Sequence, residues 1–141
     1  KPHKEKIKAE EAFERAIKKY SPMLDERNIT YSVNGSCEVN AEIASFEALM
    51  ENLVSNAVKY TKENGEIKAI FDKKAIIITN TVVEKIDTTD LKQPFVKGDK
   101  SRSNAKGSGL GLSIADKAAI SNGMTLKISC SDKEFKAEVK L

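Results

Sequence analysis

Glu51-Asn52-Leu53-Val54-Ser55-Asn56-Ala57-Val58-Lys59-Tyr60 is the stretch on which the reading of this chain turns. With Ile43, Phe46 and Met50 upstream, Leu53 and Ala57 keep a helical apolar spacing, so Ala41 to Tyr60 predicts the longest amphipathic helix. Asparagine is a poor helix former, yet two stand four residues apart inside that helix, and something in the fold must compensate. At about 100° per residue, Asn52, Asn56 and Lys59 fall within roughly 60° of one another, beside Tyr60 at the edge of the apolar face. That places them at the rim of a groove. An amide oxygen suits Mg²⁺, a lysine head balances phosphate charge, and tyrosine offers a flat partner to an aromatic base. The same spacing also describes a solvated helix face with Tyr60 in the core, and the segment alone leaves both readings open.

Upstream, residues 4 to 20 carry Ile7, Phe13, Ala16, Ile17 and Tyr20 among Lys and Glu, which predicts a first helix that Pro22 ends or kinks. Thr30 to Val33 and Cys37 to Val39 flank Asn34-Gly35, a hairpin signal. Downstream, Asn64-Gly65 stops the long helix. Glu66 to Phe71 and Ala75 to Asn80 then read as a second hairpin, with the Ile76-Ile77-Ile78 run as a central strand buried on both faces. From Thr81 to Ser108 periodicity dissolves around the apolar knot Leu91, Pro94, Phe95 and Val96. So long an irregular stretch is usually functional or mobile, and Phe95 would pin a movable lid carrying the cation Lys97. Gly107-Ser108-Gly109-Leu110-Gly111-Leu112 opens the next helix, Leu110 to Ser121, where glycines let backbone N–H groups approach a phosphate. It has neither P-loop nor dinucleotide-fold spacing. Asn122-Gly123 caps that helix, and Leu126 to Ser129 with Phe135 to Leu141 complete the chain. The order predicts a two-layer α/β sandwich of the α+β kind, with a mixed, mostly antiparallel sheet and helices on one face.

Composition narrows the options. At 141 residues one domain is the default. A net charge of +3, from 24 Lys+Arg against 21 Asp+Glu, lacks the concentrated basic field that duplex binding needs, so no nucleic-acid partner is expected. No apolar run reaches bilayer length. Cys37 and Cys130 stand far apart with a single histidine, His3, in the chain, so reduced, buried thiols are expected rather than a zinc site. Because it opens on Lys1, the chain is expected to be part of something longer.

Amide-rich helix, buried strand ending in a polar residue, loop with an aromatic and a cation, then glycines opening a helix: in this order the set closely resembles the ATP-binding catalytic domain of sensor histidine kinases, in the GHKL group with its Bergerat fold. Asn52 to Thr61 is similar to the N box, Pro94 to Asp99 to the F box, and Gly107 to Leu112 to the G2 box. The resemblance runs from about Ile29 to the end. It implies ATP and Mg²⁺ as cofactors, with Asn56 as metal ligand and Asn52 and Lys59 on the phosphates. It further implies Tyr60 on adenine, Lys97 on the terminal phosphate, Phe95 in the lid, and the backbone of Gly107, Ser108, Gly109, Leu110, Gly111 and Leu112 around the phosphates. Asn52, Lys59 and Lys97 would be the catalytic groups. One departure stands at Thr79-Asn80-Thr81-Val82-Val83, where the family has a D-x-G-x-G box: Asn80 takes the aspartate position and the glycines are missing. Its side-chain oxygen can still accept from the adenine amino group, without charge assistance.

The resemblance further implies a helix or linker from an upstream dimerisation domain over residues 1–28, an ATP-binding domain over 29–141, and transfer of the γ-phosphate to a histidine elsewhere, since His3 has no acceptor context. A response regulator would be the next partner. The fragment is expected to be a cytoplasmic monomer, from a homodimeric parent that is either soluble or anchored in the cell membrane. An anti-sigma-factor-type serine kinase and a nucleotide sensor without turnover are the alternatives. Glu51 adjoins Asn52, but the position four before Asn56 is not a glutamate, so water activation should be weak.

Overall fold

Alternating burial along Glu66–Phe71 (β4) and near-continuous burial along Ala75–Thr81 (β5) build the middle of the fold. The computed structural model describes residues 3–92 and 109–141. The other elements, in chain order, are β1 (Lys4–Lys8), α1 (Ala9–Lys18), α2 (Ser21–Glu26), β2 (Thr30–Gly35), β3 (Glu38–Glu42) and α3 (Ile43–Tyr60), and, after β5, α4 (Gly109–Ser121), β6 (Thr125–Cys130) and β7 (Glu134–Lys140). Five strands form one mixed sheet in the order β2-β4-β5-β7-β6, parallel only between β2 and β4. As expected, β5 is central and β4–β5 is a hairpin. Ile76 and Ile78 are buried, whereas Ile77 on the opposite face is half-buried. On the covered face Ile67, Ile76, Ile78, Phe135, Ala137 and Val139 meet Phe46, Met50 and Leu53 of α3 and Leu112 and Ala115 of α4 in one core. The other face carries Lys68, Ile70, Lys127 and Lys136, all exposed, which makes two layers.

Three expectations are corrected. Residues 4–20 are not one helix: Lys4–Lys8 is a strand paired with β3, Ile7 opposite Val39, and the helix starts at Ala9. Lys and Glu favour a helix locally, but pairing with β3 overrides propensity. Pro22 does not end the helix, which stops at Lys18; it sits in the first turn of α2, where a missing N–H costs nothing. Asn34-Gly35 makes no hairpin either. β2 runs parallel to β4 while β3 joins β1 in a separate two-stranded sheet. Gly35 has φ +80°, and a Cβ there would lie 2.2 Å from the Phe71 carbonyl oxygen, so this glycine answers a close backbone approach rather than a tight turn.

The long helix begins two residues later than Ala41, because Ala41 and Glu42 finish β3. Glu42 caps it, its carboxylate accepting from the Ser45 N–H at 2.8 Å. The N-terminal elements contribute to the same core: Phe13 and Ile17 of α1 are fully buried, and Phe13 meets Tyr31 and Phe71 edge-on at 6.1 Å. Cys37 and Cys130 are free thiols, as expected, but half-buried rather than buried. Burial, with Glu10 and Asp72 nearby, pushes the Cys37 thiol up. Among the described residues no helix is long and apolar enough to cross a membrane.

Candidate functional site

The C-terminal end of α3 is tied to the C-terminal end of β5. Lys62 N–H donates to the Thr81 carbonyl at 3.0 Å, and Glu66 N–H donates to Thr81 Oγ1 at 2.9 Å. The approach is close enough that a Cβ on Gly65 would stand 2.3 Å from Thr81 Oγ1 and 2.7 Å from the Lys62 carbonyl oxygen. The orphan carbonyls that every helix leaves at its end are met here by Arg27, which donates to Val58 O at 2.8 Å and to Thr61 O. Thr61, 1% exposed, donates from Oγ1 back to Ala57 O. Asn28 and Asn64, both at positive φ, join side chain to side chain at 2.7 Å, which fixes the α2–β2 turn to the α3–β4 turn.

That anchoring sets Tyr60 over the sheet. Its ring stacks on Phe135 with centroids 6.0 Å apart and planes 22° apart. In register, Asn80 of β5 lies between Phe135 of β7 and Ile67 of β4. Directly opposed residues of neighbouring strands share a face, so Asn80 is on the covered side with Phe135. It is 1% exposed, and its Oδ1 is buried with no hydrogen-bond partner among the described residues. Its Nδ2 reaches only the Thr81 carbonyl, at 3.5 Å.

The helical positions follow in turns. Asn56, one turn before Tyr60, is buried at 7% exposure. Asn52, half-buried, turns its Nδ2 back onto Ala48 O at 2.6 Å, which is how the helix accommodates this poor helix former. Lys59 is exposed. Glu51 is held by Lys19 at 3.2 Å and by the Tyr20 hydroxyl at 2.9 Å. Burial and the Glu51 carboxylate together raise the Tyr20 pKa above its ordinary value.

Asn52, Asn56, Lys59 and Tyr60 therefore share the last three turns of α3, as the spacing predicted, and Asn80 stands near the strand end to which that helix is tied. Gly109, Leu110 and Gly111 lie in the first turn of α4, so the glycine run does open a helix. Leu112 is fully buried in the core, which leaves its backbone alone for any ligand. Phe95, Lys97, Gly107 and Ser108, and with them the lid from Gln93 onward, lie outside the described residues. Sequence reasoning missed the residues that place the site: Arg27, Gly65, Thr81 and Phe135. Gly65 carried a signal only as the stop of the long helix, and Phe135 only as the first apolar position of the last strand. The rest depend on contacts between distant segments.

The comparisons with known proteins concern the family and the fold. Residues 41–141 match the family described as histidine kinase-, DNA gyrase B- and HSP90-like ATPase. The probable sensor protein PcoS of Escherichia coli is 30% identical over 129 residues, covering 86% of this chain and 28% of that protein. The signal transduction histidine-protein kinase ArlS of Staphylococcus aureus (strain USA300) is 37% identical over 98 residues, 64% of this chain and 22% of that protein. The chain thus spans about a quarter of the length of these relatives. Among solved structures, the nucleotide-free catalytic domain of histidine kinase ThkA superposes with a TM-score of 0.74 at 20% identity, covering 98% of this chain and 95% of that one. The Acinetobacter baumannii histidine kinase AdeS gives 0.74 at 19% identity, covering 100% of this chain and 68% of that one. Both likenesses concern the fold.

Proposed function

The chain belongs to the family of histidine kinase-, DNA gyrase B- and HSP90-like ATPases, and from that membership we propose that it binds Mg-ATP and, within a longer parent, passes the γ-phosphate to a histidine on an adjoining dimerisation domain. One observation carries the reading: the buried Oδ1 of Asn80, unpaired among the described residues, beside the Tyr60–Phe135 stack. An unmet buried acceptor costs roughly 1–3 kcal/mol, and the adenine amino group is a donor of the kind that Asn80 lacks. Tyr60 would cover the base. Asn56 fits Mg²⁺, a hard ion that takes neutral amide oxygens and fills the rest of its octahedron from phosphates and water. Asn52 and Lys59 would hold phosphate oxygens, with Lys97 and the Gly107–Leu112 backbone closing around them.

The chain's own contribution is positioning and charge neutralisation, which is most of what phosphoryl transfer requires. Glu51, engaged by Lys19 and Tyr20, is not free to activate water, so transfer would outrun hydrolysis. The segment 1–28, packed into the core through Phe13 and Ile17, would carry the connection to the dimerisation domain. A response regulator would receive the phosphate from a homodimeric parent. His3, in Pro2-His3-Lys4-Glu5, lacks the His-Glu context of an acceptor and would not receive the phosphate.

Calorimetric titration with ATP, with and without Mg²⁺, tests the nucleotide reading. Asn56→Ala should remove the metal-dependent part of the affinity and leave far-UV circular dichroism unchanged, because alanine improves helix propensity. Failure of the parent fragment to bind ATP would overturn the proposal. Phosphorylation by the full parent chain tests the transfer: a histidine phosphate outside residues 1–141 supports it, and acid-labile phosphate on His3 contradicts it. ATP binding without transfer would favour the sensor reading, and a phosphoserine product on a partner the serine-kinase reading.

A further inference from the structure

Two buried asparagines of this chain are held in opposite ways. Asn122 is fixed at both ends of its amide: Oδ1 accepts from the Glu42 N–H at 3.0 Å, while Nδ2 donates to Ser45 Oγ at 2.7 Å and to Ala118 O at 2.9 Å. Turning that amide over would set an NH₂ against an N–H and an oxygen against a carbonyl oxygen. Asn80 has no such lock. Its Oδ1 has no partner among the described residues, and its Nδ2 contact of 3.5 Å to Thr81 O is at the outer limit of a hydrogen bond. Only that one long contact opposes turning the amide over, against the three that hold Asn122.

An amide and a carboxylate differ in what they can offer a purine. An ionised aspartate only accepts, so at this position it would take a 6-amino group and reject a 6-oxo group. Asparagine presents an acceptor on one side and a donor on the other, about equal in size. With Oδ1 toward the base it accepts from the amino group of adenine. Turned over by 180°, it donates Nδ2–H to the 6-oxo oxygen of hypoxanthine or guanine. The flanking residues in register, Ile67 and Phe135, are apolar and favour neither orientation.

We propose that Asn80 makes the base site ambivalent at purine C6, so that the domain takes 6-oxopurine nucleoside triphosphates as well as ATP. This rests on the nucleotide-site reading above and extends it to substrate class. The selectivity is set by one side chain that a single long hydrogen bond holds, because among the described residues no second one fixes its orientation.

The test is competitive titration of ATP and inosine triphosphate into the fragment with Mg²⁺ at pH 8. Inosine triphosphate is the probe because it changes C6 without adding the 2-amino group of guanine. The expected result is that the two affinities lie within about 30-fold of each other, and that Asn80→Asp widens the preference for ATP by a further 30-fold or more. Asn80→Ala, with neither donor nor acceptor, should weaken both by similar factors. A parent that binds ATP more than 30-fold better than inosine triphosphate overturns the inference and leaves ATP binding standing. An Asn80→Asp ratio equal to that of the parent overturns the role of Asn80. A fragment that binds neither nucleotide overturns the nucleotide reading itself. The parent's ratio decides even if a variant fails to fold.

Discussion

The two ends of α3 use polar groups for different purposes. At the start, Glu42, Ser45 and Asn122 form a set in which the Glu42 and Ser45 N–H groups and both ends of the Asn122 amide find partners within the chain, joining α3 to the end of α4. At the finish, the backbone is equally well served by Arg27, Thr61 and Thr81, yet one side-chain acceptor, Asn80 Oδ1, is left over in a buried setting. Folding alone accounts for the first end. At the second, the unpaired side chain beside a well-anchored helix end is what the proposed nucleotide site would use.

The largest effect that would break this contrast lies at the closed end. Asn122→Ala should destabilise by roughly 2–3 kcal/mol, since the Glu42 N–H and Ser45 Oγ both lose a partner, while ATP affinity of the remaining folded protein stays the same. Denaturant melts and a titration on the same sample check both halves. Gly65→Ala sharpens the comparison from the other side. Its Cβ would overlap Thr81 Oγ1, so a loss of about 1–3 kcal/mol should come with weakened nucleotide binding, because α3 is pushed off the strand that bears Asn80. Arg27→Ala removes two helix-end donors and should cost about 1–2 kcal/mol, read as a lower denaturation midpoint with an unchanged slope.

The smallest effects belong to the neighbouring ion cluster. Glu51→Gln should change stability by no more than about 0.5 kcal/mol and leave nucleotide affinity untouched, because Glu51 serves Lys19 and Tyr20 rather than the ligand. Tyr20 gives that cluster a pH signature. Burial first, and Glu51 second, raise its pKa above 10.0, so the folded chain keeps this proton longer than the unfolded chain. The stabilisation is complete below pH 10 and is lost as pH rises through the raised value. Tyr20→Phe should flatten thermal stability against pH in that range.

What could be read in advance followed the range of the interactions. Strongly periodic local segments were legible: α3, the β4–β5 hairpin, α4 after its glycines, and the last strand pair. The N-terminal third was not. Lys4–Lys8 has one buried residue in five and becomes a strand only because β3 lies beside it. Asn34-Gly35 has the chemistry of a hairpin turn, but the glycine is required by the Phe71 backbone 36 positions away. The same division holds at the site. The i, i+4, i+7 and i+8 spacing of Asn52, Asn56, Lys59 and Tyr60 was enough to put them on one helix end, whereas what Arg27, Gly65 and Phe135 do there comes from contacts across the chain that no local pattern marks. The departure at Asn80 was visible as a substituted residue. That its oxygen is buried and unpaired depends on β4 and β7 closing around it.

The most direct measurement is a paired one on Asn80→Ala: unfolding free energy by denaturant melt and ATP affinity by calorimetry, on the same preparation with Mg²⁺. If Oδ1 is held for a ligand, its removal leaves the fold within about 1 kcal/mol of the parent, and ATP binding falls by roughly 5- to 150-fold. A variant that loses 2 kcal/mol or more of stability, on the order of a lost structural hydrogen bond, and binds ATP as the parent does would contradict the account.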